Sequence, residues 1–149
     1  MTDLLALAET IEAATGPDRR LDTLVEIARN PDKPWVIGEK PGRWPREAIF
    51  GTLADMLDWA MDETKVPPEI GAPAYTSSLD AAMTLVPDGY RVSQLNEETD
   101  SPDRPWVVSL SVRIGAPGRM LVYASAATPA LALTAASLRA RHAMEKGSG

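Results

Sequence analysis

The chain has no cysteine among its 149 residues, only one histidine and only one phenylalanine. Without thiols there is no disulfide, no thiolate metal site and no cysteine nucleophile, which suits a reducing cytoplasm. A zinc site would need clustered His, Cys or carboxylate ligands, so no metal and no cofactor are expected. Ser-His-Asp chemistry would have to pass through His142 alone, and no G-x-S-x-G elbow supplies its nucleophile. Neither G-x-x-x-x-G-K nor G-x-G-x-x-G is present to cradle a phosphate. No basic-plus-apolar leader opens the sequence, and no apolar run approaches a membrane span, so no membrane partner is expected. Basic residues are outnumbered, 15 against 21 acidic, and the net charge of −6 disfavours direct binding to nucleic acid over a wide surface.

What is present is an alanine- and leucine-rich helix near the end of the chain. Thr128 suits an N-cap and Pro129 the first turn. At about 100° per residue, Leu131, Ala135, Leu138 and His142 form one stripe, and Leu133, Ala136, Ala140 and Met144 a second. Thr134, Ser137, Arg141 and Glu145 leave a narrow polar edge. A helix this apolar belongs between layers, with its alanines letting neighbouring backbone come close. Gly147, Ser148 and Gly149 read as an appended linker.

The rest of the chain follows in order. A first helix starts after Thr2, buries Leu4, Leu7, Ala8 and Ile11, and stops at Gly16. Pro17 opens a second, with Asp18 in its first turn and Leu21, Leu24, Val25 and Ala28 inward. Residues 35–37 read as a short strand and residues 45–61 as a helix, where Ile49, Leu53, Met56, Leu57 and Ala60 keep the period. Between residues 75 and 87 the spacing of Ser77 and Asp80 suggests a capping box, with Leu79, Ala82, Met83 and Val86 inward. Pro87-Asp88-Gly89 then turns the chain. Strands are expected at residues 90–95, 106–114 and 119–126, around a solvated loop at 96–104 and a hairpin loop at 115–118. The middle strand alternates: Trp106, Val108, Leu110, Val112 and Ile114 on a buried face, Val107, Ser109, Ser111 and Arg113 on a wet one. The segment P-D-[K/R]-P-W-V-[I/V] occurs twice, 71 residues apart, either as two ordinary strand entries or as the trace of a duplication.

The expected fold is therefore α+β: a three-stranded antiparallel sheet, with four strands as the alternative, in an α-β-β-β-α core preceded by helices. It is read as a single domain over residues 1–146 with an insertion at about 31–74. The α-β-β-β-α order is also that of double-stranded RNA-binding domains. Their basic start to the final helix is replaced here by Pro129-Ala130-Leu131-Ala132.

YTSSLDAAMTLVP at residues 75–87 and ASAATPALALTAASLRAR at 124–141 resemble the phage ABA sandwich family, small phage and prophage proteins. The opening LLALAETIEAATGPDRRLD at residues 4–22 is also similar, whereas residues 35–68 are the least typical. The resemblance implies alternating α and β layers and a phage or prophage accessory protein in the bacterial host cytoplasm. It implies no catalytic residues.

Carboxylate pairs such as Glu9 with Glu12, Asp22 with Glu26 and Asp55 with Asp58 fall on expected outer helix faces, whereas carboxylate catalysis needs a desolvated pair. The expectation is a non-catalytic protein that binds a host or phage protein, with anti-defence inhibition as one form. The alternatives are a sponge for a small signalling nucleotide and a virion or assembly component. Candidate contacts are the aromatic and basic residues Trp35, Arg43, Trp44, Arg46 and Trp59, and the acidic Glu97, Glu98, Asp100 and Asp103. Unpaired sheet edges would allow a homo-oligomer.

Overall fold

The computed structural model describes residues 4–29, 35–39, 48–51, 72–98, 101–113 and 118–147. The chain divides into two compact units, one of Met1–Thr2 and Arg19–Pro73, the other of Asp3–Asp18 and Ala74–Gly149. In the first, α2 (Arg19–Arg29) buries Leu21, Leu24 and Val25. It begins two residues beyond Pro17, so Asp18 precedes the helix and the acidic first-turn position falls to Asp22. Asp22 is itself buried and takes a 2.9 Å hydrogen bond from Arg19, whose other nitrogen reaches the Ala72 carbonyl.

The same unit holds an antiparallel hairpin of β1 (Trp35–Glu39) and β2 (Ala48–Gly51), with a register irregularity between Val36 and Gly38. β2 corrects the expectation of a helix over 45–61. Ile49 and Phe50 are strand-favouring residues, and β1 supplies backbone partners at Phe50↔Val36 and Ile49↔Gly38. Residues 52–61 of that expected helix lie outside the described residues.

The second unit has the α+β arrangement read from the sequence: α1 (Leu4–Ala13), α3 (Leu79–Met83), β3 (Tyr90–Glu97), β4 (Trp106–Arg113), β5 (Arg119–Ala126) and α4 (Pro129–Gly147). Its sheet is three-stranded, antiparallel and open, in the order β3-β4-β5. Pro87-Asp88-Gly89 forms the expected turn into β3: the Tyr90 N–H returns to the Pro87 carbonyl, and Gly89 sits at φ +89°. Only glycine adopts that conformation without strain.

α4 is the centre of this unit. Thr128 caps it, its hydroxyl accepting from the Leu131 N–H at 3.2 Å. The helix packs on β4 and β5 on one side and against α1 and α3 on others. Every residue from 130 to 138 is buried, including the supposed polar edge at Thr134 and Ser137. Those hydroxyls are tolerated because each has a partner: Thr134 donates to the Tyr75 carbonyl at 3.0 Å and Ser137 to the Leu133 carbonyl at 2.8 Å. Past Ala140 the helix emerges, which leaves His142 half-buried and Met144 exposed rather than packed in the second stripe.

The segment before the sheet is pinned at several points. Thr76 takes a hydrogen bond from the Asp18 N–H at 2.9 Å, and Arg141 donates to the Leu85 carbonyl at 3.0 Å. α3 itself differs from its sequence reading in phase. Ser78, not Ser77, is the N-cap, accepting from the Ala81 N–H. Ala82 and Leu85 are buried, with Tyr75 before them, while Leu79 and Met83 are exposed. With five residues, the helix is too short for its periodicity to fix which side turns inward; the tethers at Tyr75 and Leu85 do so. Among the described residues, no helix is long and apolar enough to cross a membrane.

A candidate binding face on the open sheet

Register determines which side chains share a face, because directly opposed residues in an antiparallel pair point the same way. Trp106, Val108, Leu110 and Val112 face the α4 side, where Val108 and Leu110 are fully buried. The opposite face carries Val107, Ser109, Ser111 and Arg113 from β4. Opposite them on β5 stand Ser125, Tyr123, Leu121 and Arg119. On β3, Arg91 faces Ser111 and Gln94 faces Ser109, with a bulge between Val92 and Gln94.

This face is not uniformly wet, as simple alternation predicts. Ser109 and Ser111 are buried, because short side chains on a central strand sink between longer cross-strand neighbours. Ser109 donates to Gln94 Oε1 at 3.3 Å, and Ser93 to the Ser109 carbonyl at 3.2 Å. On the edge strand β5, by contrast, Tyr123 is 56% exposed and Leu121 43%. Below them, a recess of about 220 Å³ is lined by Gly89, Arg91, Ser111, Arg113 and Arg119.

A second recess, of about 480 Å³, lies where the end of α1 meets the β3–β4 loop, lined by Glu12, Ala13, Ala14, Thr15, Pro102, Asp103, Arg104 and Ala127. Its carboxylate Glu12 is already engaged. Arg139 Nε donates to Glu12 Oε1 at 3.0 Å and Nη2 reaches the same oxygen, while the Ser125 N–H meets Oε2 at 3.4 Å. This ion pair joins α1, α4 and the β5 edge, and it offsets the cost of an acid at the C-terminal end of α1.

The candidates from the sequence are not gathered here. Trp35 opens β1 in the other unit, and Arg43, Trp44, Arg46, Trp59 and Asp100 lie outside the described residues. Glu97 and Glu98 are exposed at the end of β3, and Asp103 alone among them lines a recess. Sequence reasoning missed Arg91, Arg119, Leu121 and Tyr123. A signal existed: Arg113 and Arg119 bracket the hairpin loop, and equal strand lengths make them opposing residues. Burial pushes the Tyr90 hydroxyl above its ordinary pKa of 10.0. Among the described residues, no group of three or more His, Cys, Asp or Glu could hold a metal ion. The chain matches no protein-family model, no curated protein and no solved structure.

Proposed function

We propose that this chain is a non-catalytic binding protein that docks another protein on the open face of its sheet. The supporting observation is the pair Leu121 and Tyr123, 43% and 56% exposed on an edge strand, on the face opposite α4. An exposed aromatic beside an aliphatic side chain, on a rigid strand, is the kind of anchor that concentrates binding energy. The arginines at the end of the same face repel a basic rim and favour a partner whose rim is acidic. With the resemblance of residues 75–87 and 124–141 to phage proteins, the reading is a phage or prophage accessory protein directed at a host protein in the bacterial cytoplasm, and an anti-defence inhibitor is its narrower form.

The test starts with capture from bacterial lysate and continues with reconstitution from the purified partner. The expected result is a defined complex that Tyr123→Asp weakens by roughly 30-fold or more, as loss of a hot spot does, with the melting temperature of the free protein unchanged. A reconstituted complex indifferent to both Leu121→Asp and Tyr123→Asp would refute this assignment of the face.

A further inference from the structure

We infer that the recess framed by Arg91, Arg113 and Arg119 is a binding site for the phosphate groups of a small phosphorylated molecule. Three observations converge on it. The first is charge. Arg113 stands directly opposite Arg119, and Arg91 opposite Ser111, one same-face position along. Directly opposed side chains have Cβ atoms about 5 Å apart and diagonal ones about 7–8 Å, and like charges at such spacing oppose the pairing. Among the described residues no carboxylate or carbonyl engages these three guanidinium groups, in a chain with 21 acidic residues. A bound polyanion would turn this repulsion into attraction.

The second observation is Ser111, which lines the recess and is only 2% exposed. Among the described residues its hydroxyl has no hydrogen-bond partner, whereas that of Ser109, two positions back on the same face, does. Buried hydroxyls ordinarily have one, and a ligand oxygen in the recess would supply it.

The third is size. About 220 Å³ falls below the roughly 300–1,000 Å³ of pockets that enclose whole drug-sized ligands. The recess suits the charged end of a molecule whose remainder lies outside. Three guanidinium forks and a hydroxyl match the several oxygens and multiple charge of a phosphate or diphosphate better than the two oxygens of a carboxylate. Extended nucleic acid is disfavoured by the net charge of −6. The site does not depend on Leu121 and Tyr123 docking a protein.

Calorimetry on the full chain with pyrophosphate, a nucleoside triphosphate, citrate and a single-stranded oligonucleotide tests the proposal. Pyrophosphate and the triphosphate should bind with Kd below about 1 mM and raise the melting temperature. Arg113→Gln and Arg119→Gln should each weaken binding by roughly tenfold or more, with Arg113→Lys recovering part of it and Ser111→Ala weakening it less. Unliganded Arg119→Gln should melt no lower than the parent, since the substitution relieves a like-charge contact. The proposal is overturned if neither phosphate ligand binds, if citrate or the oligonucleotide binds more tightly than the triphosphate, or if binding survives the double substitution Arg113→Gln/Arg119→Gln. It also fails if Arg119→Gln lowers the melting temperature of the free protein, which would make the arginines structural.

Discussion

Removing Arg139 should destabilise the protein more than removing Glu12, although the two form one ion pair. The Glu12 side chain is 9% exposed and that of Arg139 26%, so the two substitutions strand different groups. Among the described residues, Arg139→Ala leaves a nearly buried carboxylate with only the long Ser125 N–H contact at 3.4 Å. Stripping a partner from a buried pair costs about 3–5 kcal/mol, while fully exposed pairs are worth about 0–1 kcal/mol. Discounted for its partial exposure, this case falls at roughly 2–4 kcal/mol. Glu12→Ala leaves a guanidinium that is a quarter exposed and can hydrate, for roughly 1–2 kcal/mol. At about 2–4 °C per kcal/mol for a chain of this size, Arg139→Ala should lower Tm by roughly 4–16 °C. Urea denaturation followed by circular dichroism, on both single variants and the double variant, is the assay. The double variant should cost less than the sum of the singles by about 1–2 kcal/mol. Arg139→Met, which keeps the apolar stem, separates lost packing from lost charge. A larger loss from Glu12→Ala than from Arg139→Ala, or additivity within about 0.5 kcal/mol, would refute the reasoning.

Two further outcomes follow from local chemistry. Thr128→Ala removes the acceptor for the Leu131 N–H and should cost about 1 kcal/mol in chemical denaturation, with Thr128→Ser restoring most of it. The folded state holds the Tyr90 proton more tightly than the unfolded chain, whose ordinary value is 10.0, so stability should be flat below that pH and fall as pH rises through the elevated folded pKa. Melting curves across that range, compared with Tyr90→Phe, read the effect; a fall equally steep in Tyr90→Phe would assign it to other groups.

The parts of the fold legible in the sequence are those fixed by neighbours close along the chain. The Thr128 cap, the Pro87-Asp88-Gly89 turn, the start of β4 and the limits of β5 are local matters, and the structure has them where the residues indicate. β2 was hidden because Ile49 also fits a helical period, and its partner strand lies about ten residues upstream. The burial of Ser109 and Ser111 was hidden because it comes from side chains on two other strands. The candidate face was the least legible, since Arg91, Arg113 and Arg119 line one recess only once the register of both hairpins is set. Composition drew attention instead to the tryptophans and the acidic loop, which stand out in a linear reading.

The clasp between Glu12 and Arg139 spans 127 positions of sequence and closes over α4, the last of the described elements. Until that helix leaves the ribosome, the first helix and the three strands lack the element against which both pack, although α1 also meets β5 directly. Packing of this unit therefore waits for the helix that begins at Pro129, and a chain cut short before it would be prone to aggregate rather than remain half-built.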